Sequence, residues 1–351
     1  MTTLDEALDD TRNGTVKCVV WDLDNTLWNG TLLEGDTCDV SPQVRAIIHK
    51  LDERGVLQSV ASKNDPEMAR ARLAAVGLAD MFLYPQIGWN PKSGAVREIA
   101  SSLNIGLDAL AFVDDQEFER AEVAHAHPQV VCVDPAHIAT VVDSPAWVPR
   151  FVTAESARRR ELYRFQAARE AEEKAFQGTD EEFLRTLDMT FTIRRAETDD
   201  LQRAEELTVR TNQLNSTGLT YSYADLDALR TDPGHWLLVA DMSDRFGDYG
   251  TIGLSLVGRG EAAWHLKLML MSCRTMSRGV GTILLSHIMR TAATAVPRLR
   301  ADFVETGRNR MMQITYAFAG FREVARDGDH VTLESDLSQI QDFPDYVKVV
   351  V

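Results

Sequence analysis

The segment VKCVVWDLDNT at residues 16–26 constrains the fold more than any other. It is an apolar run rich in β-branched residues, closed by two aspartates. A strand this apolar is buried on both faces, as in parallel sheets. The residues that follow repeat the demand. Ser41 and Pro42 open a helix over 42–54, an N-cap followed by proline at the first helical position, and Gly55 ends it. VLQSVAS at 56–62 reads as a second strand. Asp65 and Pro66 open a helix over 66–76, which Gly77 stops. MFLYPQIG holds a short third strand. A helix over 93–103 leads to the strands ALAFVDD at 109–115 and QVVCVDP at 129–135. This alternation predicts a parallel α/β sheet with right-handed crossovers. Asp22, Ser62 and Asp114 then fall at the C-terminal ends of strands, where open α/β sheets bind ligands.

The pattern changes after Pro149. Residues 153–176 predict one long charged helix, within a connector over 151–185 that joins a domain at 1–150 to one at 186–351. Beyond Met189, FTIRRA reads as a strand, 198–210 and 224–230 as helices, and HWLLVADM and GTIGLSLVGRG as strands paired around DRFGDYG. AAWHLKLMLMSC reads as a long strand and GVGTILLSHIMRTAATA as a helix. The second domain is therefore expected to be mixed α/β. A length of 351 residues suits two domains with separate cores.

Composition narrows the function. Hydrophobic residues at 44 % and charged residues at 26 % suit a globular protein. No apolar stretch approaches a membrane span. The polar, acidic start lacks the features of a signal peptide, so a cytoplasmic location is expected. A formal net charge of −16 argues against a general nucleic-acid binder. A local basic patch for an acidic partner could still form from Arg158, Arg159, Arg160 and Arg164, or from Arg274 and Arg278; the competing reading of the first group is a solvated helix face. Cys18, Cys38, Cys132 and Cys273 show no metal-ligand spacing.

Four pieces recur in an order that chemistry explains: Asp22-Leu23-Asp24-Asn25-Thr26, Ser62 in VASKND, Lys92 in NPKSG, and Asp114-Asp115 in AFVDDQ. A carboxylate at a strand end can attack phosphorus. A second acid two residues on can protonate the leaving oxygen and then activate water. A hydroxyl and a lysine neutralise phosphate oxygens, and further carboxylates suit Mg2+. The ordered set resembles the haloacid-dehalogenase-like phosphatases. That resemblance implies Asp22 as nucleophile, Asp24 as general acid/base, Ser62 and Lys92 as phosphate ligands, and Asp22, the Asp24 carbonyl and Asp114 or Asp115 as magnesium ligands. Asp24 to Ser62 and Ser62 to Lys92 each span one helix and one strand, which leaves no room for a large cap domain.

The second half carries RTNQLNSTGLTYS, DRFGDYGTIG, MSCRTMSRGVGT and TGRN. Arg278, Gly279 and Gly281 lie between a strand and a helix, a layout that resembles the pyrophosphate loop of GNAT-type acyltransferases. The position three before the first loop glycine is Met276 rather than a basic or amide residue. Cys273, next to Arg274 and near a helix N-terminus, sits where a thiol pKa is lowered; a small buried cysteine is the alternative. His265 lies too far along the strand to serve it readily as a base.

Taken together, VVWDLDNTLWNG, VASKND, WNPKSG, LNIGLD, FVDDQEFER, RTNQLNST, DRFGDYGTIG and MSCRTMSRGVG resemble the FkbH-like glyceryltransferase/phosphatase family. The resemblance covers residues 16 to 323 and joins a haloacid-dehalogenase-like domain to a GNAT-like one. It implies transfer of the glyceryl group of 1,3-bisphosphoglycerate to the phosphopantetheine thiol of an acyl carrier protein, with dephosphorylation, for polyketide biosynthesis. Cys273 would accept the glyceryl group, and the loop at Arg278, Gly279 and Gly281 would hold the phosphopantetheine phosphate. FVDDQEFER lacks the Asn-Pro expected after the paired acids. Three other readings remain: a small-molecule phosphatase with a partner-binding second half, an acetyltransferase fused to a degenerate phosphatase domain, and a non-catalytic scaffold.

Overall fold

The computed structural model describes residues 16–351 apart from 212, 273, 274, 276 and 277. The chain divides into two compact units, one ending at Arg164 and one running from Phe165 to Val351.

The first unit is a five-stranded parallel sheet in the order β3-β2-β1-β4-β5, formed by β1 (Cys18–Trp21), β2 (Leu57–Ser62), β3 (Gln86–Ile87), β4 (Leu110–Val113) and β5 (Val131–Val133). The strand order reverses beside β1, the point where such sheets place ligands. Period-two alternation sends Cys18 and Val20 to one face and Val19 and Trp21 to the other. Helices cover both. α1 (Pro42–Glu53) and α2 (Pro66–Ala75) supply Ile47, Ile48, Leu51 and Leu73 to the Trp21 face. α3 (Lys92–Leu103) and α4 (Glu117–Ala126) supply Val96, Ile99, Leu103 and Val123 to the Cys18 face. The helix starts follow the caps read from the sequence. The Ser41 hydroxyl accepts from Val44 N, and the Asp65 carboxylate accepts from Glu67 N and Met68 N.

The charged segment after Pro149 is two helices rather than one. Ala154–Ala157 is a single turn, and α5 (Arg159–Ala175) follows a break at Arg158. The division between units falls inside α5. Its arginines do not form an open basic patch. Arg160 makes a bidentate pair with Asp52 at 2.8 and 3.0 Å, Arg164 pairs with Asp80 at 3.0 Å, and Arg159 donates to the Gly55 carbonyl at 2.7 Å. These side chains were expected to serve a partner or face solvent; they fasten the helix to acids and a carbonyl that the sequence places about a hundred residues earlier.

The second unit begins within α5, continues through α6 (Asp180–Arg185), and is built on an eight-stranded mixed sheet, β11-β12-β10-β9-β8-β7-β6-β13. Its strands are β6 (Met189–Arg195), β7 (His235–Asp244), β8 (Gly247–Arg259), β9 (Trp264–Met271), β10 (Leu299–Val304), β11 (Arg322–Asp327), β12 (His330–Ser335) and β13 (Val347–Val350). α7 (Leu201–Arg210) and α8 (Tyr223–Thr231) pack on one face through Leu201, Leu207 and Leu226. α9 (Val280–Ala293) and α10 (Arg310–Phe318) pack on the other through Ile283, Leu284, Ile288 and Tyr316. The fold class is thus a parallel α/β unit followed by a mixed α/β unit. The edge strands β11 and β13 carry little sequence signal. β11 is exposed throughout and charged, as befits an edge strand. β13 is defined by its parallel pairing with β6, from Val347 opposite Met189 to Val350 opposite Thr192. No described helix is long and apolar enough to cross a membrane.

Candidate active site

The first unit gathers charged side chains at the C-terminal ends of β1, β2 and β4. Asp22 follows β1 directly and is 3 % exposed; Asp114 follows β4 and is fully buried. Lys92, at the first position of α3, reaches both, with Nζ 2.9 Å from Asp22 Oδ1 and 2.5 Å from Asp114 Oδ2. Ser62, the last residue of β2, hydrogen-bonds the Asp22 carboxylate. One ammonium therefore serves two buried carboxylates. Burial pushes Asp22 up to about 6; Lys92 opposes the shift and Asp114 adds to it. Asp114 is raised as well, again by burial, against Lys92 and the Gln116 N–H. Burial works against the charge on Lys92, but the two carboxylates outweigh it and hold its pKa above the ordinary lysine value.

Asp115 completes the acidic group. Carboxylate oxygens of Asp22, Asp114 and Asp115 lie within 4.8 Å of one another. Asp115 is oriented by Thr26, whose hydroxyl accepts from Asp115 N at 3.0 Å and lies 3.4 Å from its carboxylate. Three hard oxygen donors beside a single paired cation are a donor set that fits magnesium.

Asp24 points elsewhere than this group. Its Oδ1 accepts from Trp28 Nε1 at 2.8 Å and Leu32 N at 3.2 Å, and its Oδ2 accepts from Asn64 Nδ2 at 3.0 Å. Its carboxylate is not among the clustered metal donors; the carbonyl was the atom singled out from the sequence. Trp28 and Asn64 hold this acid in place, and sequence reasoning assigned neither a role. The signal was present: both lie in segments already marked, DNTLWNG and VASKND, but pairing across 40 positions is set by the fold. A further pair, Lys63 with Glu119 at 2.6 Å, links the loop after β2 to the first turn of α4.

In the second unit the expected nucleophile Cys273 lies outside the described residues, as does Arg274. Arg278 is 4 % exposed, donates to Glu173 at 3.2 Å and stacks over Phe183. Only its Nη2 is engaged by the acid; the buried Nη1 has no hydrogen-bond partner among the described residues. Gly279 adopts φ +70°, and a Cβ there would come within 2.8 Å of the Tyr346 hydroxyl. Backbone conformation and packing require this glycine. Gly281 has no such constraint, its nearest neighbour in that sense being Met271 at 3.8 Å.

Three other marked motifs turn out to be braces. In DRFGDYG, Asp244 accepts from the Tyr249 hydroxyl, from Phe246 N and from the buried Arg169. In RTNQLNST, Asn215 and Ser216 are fully buried and fill a gap where β9 and β10 part. These strands pair only from Trp264 and Leu299 to Leu266 and Ala301. Beyond that, Ser216 N donates to Met269 O at 2.9 Å, and Val304 N donates to Ser216 O at 2.9 Å. In TGRN, Asn309 Nδ2 donates to the carbonyls of Asn215 at 3.0 Å and Val304 at 2.8 Å. His265 is hydrogen-bonded to Asp302 at 2.9 Å.

No protein-family model and no curated protein matches the chain. Solved structures do. The chain is similar to the N-terminal part of a Bacteroides fragilis protein that contains a phosphatase domain complexed with Mg, at 24 % identity over 41 % of this chain, with a TM-score of 0.35. It spans 43 % of that protein's chain, less than half. It is similar to the ribosomal-protein-S18-alanine N-acetyltransferase of Escherichia coli at 15 % identity, covering 44 % of this chain and 97 % of that one, with a TM-score of 0.34. The PaiA N-acetyltransferase of Thermoplasma acidophilum, in complex with coenzyme A, matches at 14 % identity over 42 % of this chain and 99 % of its own, with a TM-score of 0.34.

Proposed function

We propose that the first unit is a magnesium-dependent phosphoryl-handling site with Asp22 as nucleophile. The observation that carries this reading is the buried arrangement of Asp22, Lys92 and Asp114, with Ser62 on Asp22 and Asp115 beside it. Structure alone does not need two buried carboxylates on one lysine, because the desolvation they cost is large. A site that receives a phosphoryl group does. Asp22 attacks phosphorus and the bond to the leaving oxygen breaks, giving an aspartyl-phosphate. Asp24, held by Trp28 and Asn64, gives its proton to the leaving oxygen. It then takes a proton from the water that cleaves the aspartyl-phosphate and frees phosphate. Ser62 and Lys92 bind the phosphoryl oxygens. Asp22, Asp114 and Asp115, with the Asp24 carbonyl, would hold Mg2+, which supplies positive charge to the phosphoryl oxygens.

The resemblance drawn from the sequence carries the reading further. The chain would transfer the glyceryl group of 1,3-bisphosphoglycerate to the phosphopantetheine thiol of an acyl carrier protein and remove the remaining phosphate. The Cys273 thiolate would attack the acyl carbon, phosphate would leave, and the carrier thiol would displace the enzyme from the resulting thioester. An acyl phosphate is already activated at carbon, so this step needs no nucleotide. The stable 3-phosphate ester is what calls for Asp22. A second reading is a phosphatase with a non-catalytic second unit; Arg278 bears on the choice, since Glu173 holds its Nη2 while its buried Nη1 has no partner among the described residues.

Intact-protein mass spectrometry tests both. The protein is mixed with Mg2+, 1,3-bisphosphoglycerate generated in situ and a phosphopantetheinylated carrier. A glyceryl mass on the carrier, lost with Cys273→Ala and replaced by a phosphoglyceryl mass with Asp22→Asn, is the expected result. Phosphate release that depends on Asp22, with no carrier adduct, would leave the phosphatase reading and remove the transferase.

A further inference from the structure

A cavity of about 300 Å³ opens beside the nucleophile, between β3 with the loop that follows it and the first turns of α3. Ser62 and Lys92 line it, and both also touch Asp22, so the cavity begins where a bound phosphoryl group would end. Its volume lies at the small end of ligand pockets, roughly 300–1,000 Å³.

Two of its walls are glycines that the backbone does not require. Gly88 and Gly94 both lie outside the positive-φ region that favours glycine. A Cβ on either would meet no atom within 4 Å. Gly94 is the third residue of α3, where alanine is the better helix former. Neither conformation nor packing calls for glycine here. What glycine preserves at both positions is open space inside the cavity.

The remaining lining sets the chemistry of an occupant. Gln86 and Asn90 bring amides and Glu98 a carboxylate, groups that exchange hydrogen bonds with hydroxyls. Among the described lining residues no aromatic ring is present to stack on a base or an aryl group, and the one cation is Lys92, already shared by Asp22 and Asp114. A second anionic group would meet Glu98 with no free positive charge.

We infer that this cavity is the subsite for the non-phosphoryl part of the substrate, and that it takes the phosphate monoester of a small, uncharged, hydroxyl-bearing group. Gly88 and Gly94 provide the room and Glu98 selects against a second anion. The inference deepens the Asp22 phosphatase reading and rests on it for the position of the phosphoryl group.

Calorimetric titration in Mg2+ tests it with three probes: glycerol 1-phosphate, 3-phosphoglycerate and inorganic phosphate. Wild type is expected to bind glycerol 1-phosphate at least tenfold more tightly than either of the others. Gly94→Val, which fills the cavity, should bring glycerol 1-phosphate to within about twofold of inorganic phosphate and leave inorganic phosphate unchanged. Gly94→Ala, which favours the helix, should give an intermediate loss with an unchanged or raised melting temperature, so that a misfolded valine variant cannot imitate the result. Glu98→Lys should reverse the preference towards 3-phosphoglycerate. A wild-type preference that survives Gly94→Val, or a wild type that binds none of the three, would overturn the inference. Phosphate release from p-nitrophenyl phosphate, with and without Asp22→Asn, separates the two claims. Asp22-dependent release with ligand preferences indifferent to Gly94 sinks the subsite alone. Preferences that respond to Gly94 without Asp22-dependent release sink the phosphatase reading and keep the subsite.

Discussion

Lys92 is the residue on which the buried charges of the first unit depend. It is 3 % exposed and faces Asp22 and Asp114, both pushed upward by burial. Replacing it with methionine keeps the volume and leaves two buried carboxylates without their counter-charge. Breaking a buried pair in this way costs about 3–5 kcal/mol. Lys92→Met should therefore lower metal-free stability by that order in urea denaturation and cut phosphate release at least a hundredfold. Asp22 adds a pH dependence whose sign follows from its direction of shift. Its pKa is about 6 in the folded chain and near the ordinary 3.8 once unfolded. The unfolded state thus ionises first as pH rises. The stability tied to the protonated Asp22 is complete below about pH 4 and is lost as pH passes through 6, an effect of about 2–3 kcal/mol. In EDTA, wild type should lose stability relative to Asp22→Asn between pH 4 and 7. Parallel curves for the two proteins across that window would show that Asp22 is not held in this way.

Among the elements, the gap between β9 and β10 shows how polar motifs become structure. Parallel strands that part leave backbone N–H and C=O groups needing partners. Leu214 to Ser216 provide them: Met271 N donates to Leu214 O at 2.8 Å, and Met269 N donates to the Ser216 hydroxyl at 3.0 Å. Asn309 then ties this insert to the end of β10. Asn309→Ala removes both donors and leaves the buried Asn215 carbonyl and the part-buried Val304 carbonyl short of a partner, at a cost of about 1–3 kcal/mol. Calorimetry should show that loss as a lowered melting temperature, while Asp22-dependent phosphate release from p-nitrophenyl phosphate at 20 °C stays within twofold of wild type. An unchanged melting temperature would mean the insert is held by its backbone contacts alone.

For the whole molecule, the two units differ in how their charges are arranged. Among the described residues the three-carboxylate group lies in the first unit, on the strands around β1. An ion bound there only in the folded state stabilises by mass action, about 2.7 kcal/mol at a hundredfold excess over its dissociation constant. Mg2+ should raise the melting temperature of wild type, and Asp22→Asn or Asp114→Asn should remove most of the rise. A magnesium effect indifferent to both substitutions would place the ion elsewhere.

The parallel α/β class of the first unit, its helix caps and the placement of Asp22, Ser62 and Asp114 at strand ends were legible in the sequence. Apolar runs, Ser-Pro and Asp-Pro starts and glycine stops are local signals, and each is read within a single turn or strand. The edge strands β11 and β13 were not legible, because an edge strand needs only one partner and carries no buried period of its own. The roles of motif residues divided along the same line. Sequence pattern could mark Asp24, Asp244, Asn215, Arg278 and Asn309 as unusual, but whether an unusual polar residue reacts or braces depends on what stands opposite. Asn64 on Asp24, Arg169 on Asp244, Glu173 on Arg278 and the parted strands around Asn215 are long-range pairings. The sequence by itself determined the buried strands and capped helices of the first unit and which acids end its strands, since those follow from burial and backbone preference over a few residues. Only the tertiary structure decided which charges meet, because one lysine finds two buried carboxylates only after three separate strands have come together in one sheet.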